Sequence, residues 1–360
     1  MFIRRSFARN IIPIALATSF VAGCGGGGGG NNAGGGVSFN WLIPADEIVD
    51  GGPGKDGIPA LNGGLFEDAL TILSVKPDEL MSVVMVNGVV SAYPHDIMDW
   101  HEVINDTNGS AAYVASYCPL TGSTLAWLPG DGHSNTQFGV SGLLYNSNLI
   151  LYDRATDSRW SQMLHKSVWG TRVGEERQQL RVMETRFSTL RRMYPSARVL
   201  TRNTGWERDY NQTPYRSYRT NDSLLFPVSR EDNRLHPKTR VVGIHSDTGS
   251  KVYQIDSFGA TTQAINDQFE GQSIVAVGNS AEDVAAIFSR QLADGTILSF
   301  SPLQDELPNI MTDDEGNVWD VFGIAVSGPR QGAQLELTRG FIAYWFAWAT
   351  FFHDPEIYFN

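Results

Sequence analysis

One thiol and one imidazole lead any chemical reading of this chain. Cys118 sits in Tyr117-Cys118-Pro119-Leu120-Thr121-Gly122, just after the strand-like run 111–116. Pro119 would bend the chain there and leave the sulfur at a turn, where it could face a cleft. Thiolates bind soft cations such as Cu(I) and act as nucleophiles, once a nearby cation, metal or dipole lowers the thiol pKa. His101 lies in Trp100-His101-Glu102-Val103-Ile104-Asn105-Asp106. Its ring could ligate a metal or take the thiol's proton, with Glu102 or Asp106 orienting it. His95 and Met98 precede His101 at intervals of three, which is one face if the segment is helical. A Met and two His beside one thiol would suit Cu(I). The plainer alternatives are a buried Cys packing as a small hydrophobe and an ordinary amphipathic turn.

The stretch 138–160, FGVSGLLYNSNLILYDRATDSRW, supplies further candidates. Ser141, Tyr145, Asp153 and Arg154, with Tyr117, are the residues that could line a cofactor or polar network beside the thiol. Salt-bridged turn residues are the plain reading of Asp153, Arg154 and Asp157. Gly139-Val140-Ser141-Gly142 is not a nucleophile elbow, which needs glycine two residues to either side of the serine. The sequence has no P-loop, dinucleotide fingerprint or zinc pair of proper spacing. His133, His165, His236, His245 and His353 have no sequence neighbour that singles them out.

These residues sit unevenly on what reads as a tandem duplication. Ile104-Asn105-Asp106 recurs as Ile265-Asn266-Asp267, Tyr93 as Tyr253, Trp160 as Trp319, Gly170 and Gly174 as Gly328 and Gly332, and Pro195 as Pro355. All recur at an offset of about 160 residues and in the same order, as internal repeats do. Cys118 falls on Asn279 and His101 on Thr262. Scaffold residue types persist while the thiol and imidazole are lost, so a reactive site belongs mainly to the first copy. Asn105 and Asp106 survive in both and read as a turn making local backbone bonds.

Residues 1–23 read as a signal peptide, with a basic start, an apolar run and the lipobox Val21-Ala22-Gly23-Cys24. Cys24 would be lipidated, anchoring the chain in a bilayer. Gly25 after it points to an outer-membrane lipoprotein facing periplasm or surface, in an envelope with two membranes. Arg4-Arg5-Ser6-Phe7 resembles a twin-arginine export signal, beside the plain reading of a basic leader. Residues 24–40 form a Gly and Asn tether spanning roughly 20 Å as a coil. A net charge of −12 with no basic stripe disfavours nucleic acid as a partner. With two cysteines in all, and Cys24 assigned to lipid, no intrachain disulfide is available to Cys118.

The elements expected to position the chemistry are mostly strands, in an α+β, strand-rich fold of two duplicated lobes of about 120 residues packed as one unit. An entry segment, 41–80, precedes copy one at 81–200; a surface connector, 201–240, leads to copy two at 241–360. Residues 81–92 alternate around Asn87-Gly88, and 240–253 around 247–249. Thr185 reads as an N-cap for a helix carrying Phe187, Leu190 and Tyr194 and stopped by Pro195. Residues 341–352 are its counterpart, too short to cross a bilayer.

Several short motifs together resemble a family known only as a domain of unknown function, number 3179, of exported bacterial and archaeal proteins. They are DGIPAL, AYP with WHEVIND, SYCPLTGS, FGVSGLLYNSNL, LYDR with a following Trp, RVVG and the WFAW segment near Phe346. The resemblance implies a second Cys at the position of Thr121, giving Cys-Pro-Leu-Cys; this chain lacks it, so no reversible dithiol can form here. His101 and Cys118 match the pattern and His95 departs from it. The leading expectation is a lipid-anchored envelope protein with a soft-metal, Cu(I), or thiol-redox site on Cys118 and His101, with His95, Met98 and Tyr117 near it. The alternatives are an enzyme with Cys118 as nucleophile and His101 as base, and a ligand-binding or scaffold protein with a cleft between the copies.

Overall fold

In the computed structural model, which describes residues 39–130 and 136–359, three short strands come first: β1 (Ile48–Asp50), β2 (Leu61–Asn62) and β3 (Phe66–Asp68). A first half follows as β4 (Leu80–Val86), β5 (Val89–Pro94), α1 (His95–His101), β6 (Val103–Asn108), β7 (Ala111–Cys118), β8 (Ser123–Trp127), β9 (Phe138–Tyr145), β10 (Asn148–Asp153), β11 (Arg159–Ser161), β12 (Lys166–Trp169), β13 (Arg181–Arg186), α2 (Phe187–Met193) and β14 (Arg198–Leu200). The second half runs through β15 (Arg240–His245), β16 (Ser250–Gln254), β17 (Gln263–Phe269), β18 (Gln272–Asn279), β19 (Val284–Ser289), β20 (Phe300–Pro302), β21 (Asn309–Asp313), β22 (Val318–Asp320), β23 (Ala325–Ser327), β24 (Gly340–Tyr344), α3 (Trp345–Phe351) and β25 (Glu356–Ile357). The strand-rich expectation holds. The signal peptide, Cys24, the tether to residue 38 and His133 lie outside the described residues.

Local sequence explains the turns. Asn87 and Gly88, at φ of 51° and 77°, join β4 to β5 in the two-residue hairpin that requires left-handed residues at both positions. α2 starts one residue later than its expected cap: Arg186 is the cap residue, and the Thr185 hydroxyl donates instead to the Glu282 carbonyl at 2.7 Å.

The sheets of the first half are ordered β13-β4-β5-β14-β3, β2-β6-β7-β8 and β1-β9-β10-β11-β12. Those of the second are β24-β15-β16-β25, β17-β18-β19 and β20-β21-β22-β23. Once the three entry strands are set aside, the two sets have one order. Even the parallel pair recurs, as β14 on β5 and β25 on β16. Side-chain bonds recur too. Asn105 brackets Phe138, donating to its carbonyl at 2.9 Å and accepting from its N–H at 2.8 Å; Asn266 brackets Phe300 at 2.8 Å and 2.8 Å. Asp153 accepts from Trp160 Nε1 at 3.0 Å, and Asp313 from Trp319 Nε1 at 2.8 Å. The Tyr93 hydroxyl donates to Asp106, and that of Tyr253 to Asp267. Asn105 and Asp106 are therefore structural, but on strand β6 rather than in a turn. Pro195 and Pro355 do not correspond: Arg198 opposite Ser91 matches Glu356 opposite Lys251, and the prolines precede these by different intervals.

Phe39–Asn360 forms one compact unit because the apolar clusters mix both halves. Met81 and Leu190 share a cluster with Val277 and Trp319, and Val114 and Trp160 share another with Val252 and Trp348. Burial of such large side chains contributes about 1.5–3 kcal/mol each. No described helix is long and apolar enough to cross a membrane.

Candidate functional site

Cys118 ends β7 fully buried, its Sγ donating to the Ser147 carbonyl at 3.9 Å. Burial first, and then the Glu102 carboxylate, push the thiol up to about 11. A nucleophile or metal ligand needs the opposite shift. His101 ends α1, also buried. Its Nδ1 lies 2.8 Å from the Pro59 carbonyl and its Nε2 2.7 Å from the Tyr210 hydroxyl. A carbonyl only accepts, so Nδ1 carries the proton and Nε2 accepts from Tyr210. Burial lowers this imidazole to about 4. Both ring nitrogens are thus occupied, leaving no lone pair for a metal or for the thiol's proton. Met98 packs in the apolar cluster with Tyr93, Ile97 and Tyr117. Among the described residues no three His, Cys, Asp or Glu side chains converge as a metal would need.

The other sequence candidates are also engaged in holding the fold. Ser141 donates to the Ile150 carbonyl at 2.5 Å and accepts from Leu143 N–H at 3.1 Å, across the bulge where β9 pairs β10. Tyr145 sets its edge against Phe351 at 5.3 Å. Asp153 caps Thr156 and Trp160, and Arg154 clasps Asp56 with both terminal nitrogens, at 3.0 Å and 2.8 Å.

Sequence reasoning missed the connector's contribution. Residues 201–240 do more than cross the surface: they insert side chains around α1. Tyr210 meets His101, Tyr215 donates to Glu102 at 2.9 Å, the Tyr218 hydroxyl donates to the Leu120 carbonyl, and Arg219 pairs with Asp99 at 2.5 Å. Glu102 follows α1 at φ 58°, a left-handed position, and burial raises its carboxyl to about 7. The signal available in the sequence was the density of Tyr and Arg in a stretch otherwise polar.

His95 belongs to a directed chain of hydrogen bonds. Thr124 donates to Glu184 Oε1 at 2.7 Å and Arg240 to Glu184 Oε2 at 2.8 Å, both opposing the burial that raises that carboxyl. The single Thr124 proton is committed, so Ser82 must donate to Thr124, 2.8 Å away. His95 Nε2 must then donate to Ser82 at 3.0 Å. The imidazole, stacked on Tyr117 at 3.9 Å, is left with a buried, unpartnered Nδ1. Burial and the field of Arg219 and Arg240 keep it neutral.

A cleft of about 1470 Å³ opens elsewhere, between matching parts of the two halves. The hairpin tip 85–88 and the extended stretch 176–181 face 245–249 and 334–339. His165 and His245 lie in it, each with a buried Nε2 that has no partner. They pack on Phe341 at ring distances of 5.6 Å and 6.2 Å. Burial lowers them to about 3 and about 4. His165 has φ 53°, and the matching position of the second half is Gly323 at φ 71°. Positions this costly for a side chain cluster at functional sites. The cleft's cations are paired: Lys166 with Glu176, Arg177 with Glu175, Arg339 with Asp247 and Glu176, and Arg181 with the Phe322 and Leu335 carbonyls, although Arg177 Nε is buried without a hydrogen-bond partner.

The molecule is thus a strand-rich protein with a cleft between two topologically matching halves. The family model described as Protein of unknown function (DUF3179) matches residues 55–355, and the chain belongs to that family. No curated protein and no solved structure matches it.

Proposed function

We propose that this chain is a lipid-anchored cell-envelope protein, built from one duplicated unit, that binds a ligand in the cleft between its halves. The observation that carries the reading is the cleft itself, lined by His165, His245 and the matching stretches 176–181 and 334–339 of the two halves. A large pocket with a few convergent polar groups is the usual form of a binding site. Duplication is supported by the shared strand order and the recurring Asn, Asp and Tyr bonds. Anchoring rests on Val21-Ala22-Gly23-Cys24 and is checked by palmitate labelling, which Cys24→Ser should abolish. Cu(I) or thiol chemistry at Cys118 would have to strip His101 of both its bonds and deprotonate a thiol held near 11, so binding is the better supported role. The test is native purification followed by mass spectrometry. A compound should accompany the wild-type protein and be absent from Gln178→Trp, which fills the cleft from an exposed wall position. Equal recovery from both proteins would overturn the assignment.

A further inference from the structure

The cleft's walls say what kind of ligand it takes. Its volume exceeds the roughly 300–1,000 Å³ of pockets for single small molecules. Its cations are paired, so nothing there calls for phosphate or a free carboxylate. Its walls mix aliphatic side chains, Val86, Leu180 and Leu337 among them, with polar side chains and main-chain groups. The occupant must therefore combine apolar groups with hydrogen-bonding ones, repeated over a length.

The backbone of the walls narrows this further. Between its bridge to Lys166 at Glu176 and its pairing with Met85 at Arg181, the stretch 176–181 is held to β8 alone: Leu128 N–H donates to the Gln178 carbonyl at 3.0 Å and Leu180 N–H to the Ala126 carbonyl at 2.9 Å. In that pattern Gln179, opposite Trp127, turns its own N–H and C=O away from β8. Leu337, opposite Phe288, does the same with respect to β19, beside the bond from Ser289 N–H to the Glu336 carbonyl at 3.1 Å. Among the described residues, no main-chain hydrogen bond engages the N–H or C=O of Gln179 or of Leu337. Two matching stretches, one from each half, thus present open main-chain edges in one cleft.

We propose that the cleft binds an extended polypeptide segment, which adds to these edges through its main chain. An extended peptide supplies the alternating N–H and C=O groups that a strand edge recognises, with side chains for the aliphatic walls of Val86, Leu180 and Leu337. The inference rests on the cleft being a binding site at all.

The test uses the mature full chain against a random library of end-blocked decapeptides, with isothermal titration of the selected sequences. Binding should fall at least tenfold in Gln178→Trp, which fills the cleft, and in His165→Gly, which removes a wall side chain. The last variant is the internal control for folding, because glycine relaxes a left-handed position as Gly323 does in the other half, so it should unfold no earlier than wild type while binding less. Peptides N-methylated at alternate residues should also lose at least tenfold, since methylation removes the donors an edge requires. Selected peptides that bind Gln178→Trp or their N-methylated forms equally well would overturn the proposal. If no peptide binds but a different compound is recovered natively and lost from Gln178→Trp, the peptide assignment fails and the binding cleft stands. If neither peptide nor compound is found, both fail.

Discussion

The first half is polar inside where the second is oily. β4 and β15 place Ser82 and Val242 at one position, since they face Tyr93 and Tyr253 respectively. Glu184, opposite Ser82, matches Ile342, opposite Val242; Thr124, opposite Tyr117, matches Ala285, opposite Gly278. His95 matches Ile255, each two residues past its tyrosine. The second-half set sits together in one apolar cluster. This fold therefore packs these positions with hydrocarbon without difficulty, and the chain from His95 to Glu184 is not a requirement of the architecture. The bonds that recur in both halves, such as those of Asn105 and Asn266, mark what the architecture does require.

The largest effect expected from breaking this comparison is at Glu184. Glu184→Ile installs the second half's residue but strips Arg240 of a buried partner, and should cost about 3–5 kcal/mol in urea unfolding. Converting the set together, with His95→Ile, Ser82→Val, Thr124→Ala and Arg240→Leu, should cost less than Glu184→Ile alone. A combined loss larger than the single one would show that the polar chain is needed by the fold after all.

Next in size are the shared clamps. Asn105→Ala and Asn266→Ala each leave main-chain groups of a phenylalanine unpaired, and each should cost about 1–3 kcal/mol. Costs differing by more than about 2 kcal/mol would break the equivalence of the two halves.

Glu102 sharpens the contrast through pH. Its carboxyl, raised from 4.5 to about 7, binds more protons folded than unfolded between those values, so it makes stability fall as pH rises from about 4.5 to about 7. His165 and His245, lowered from 6.5 to about 3 and about 4, bind fewer protons folded and make stability rise from about pH 3 to 6.5. The opposed trends partly cancel in wild type. Glu102→Gln should remove the downward one, leaving a variant that gains stability relative to wild type between pH 5 and 8. Parallel unfolding curves across that range would contradict the raised pKa.

The smallest effects concern Cys118 and His101. Cys118→Ala should cost on the order of 1 kcal/mol through the void it leaves, and its cost should add to that of His101→Ala. Strong non-additivity would reinstate them as one site. The native thiol should resist a disulfide reagent until the protein unfolds.

Strand content, the Asn87-Gly88 hairpin, the short helices before β14 and β25 and the family were readable in the chain, because each rests on local patterning or on motifs lying close together. So were the repeated landmarks that the structure places in matching sheets, apart from Pro195 and Pro355. The sequence could not say that His101 would spend both nitrogens on Pro59 and Tyr210, or that Cys118 would be sealed at the end of β7 against Ser147, since those partners lie tens of residues away. His165 and His245 had no neighbours to single them out, and only the packing of one half on the other brings both into a cleft. A side chain's type is written in the sequence, but its freedom to react depends on which distant groups fill its hydrogen bonds and exclude its water, and those are chosen by the tertiary fold.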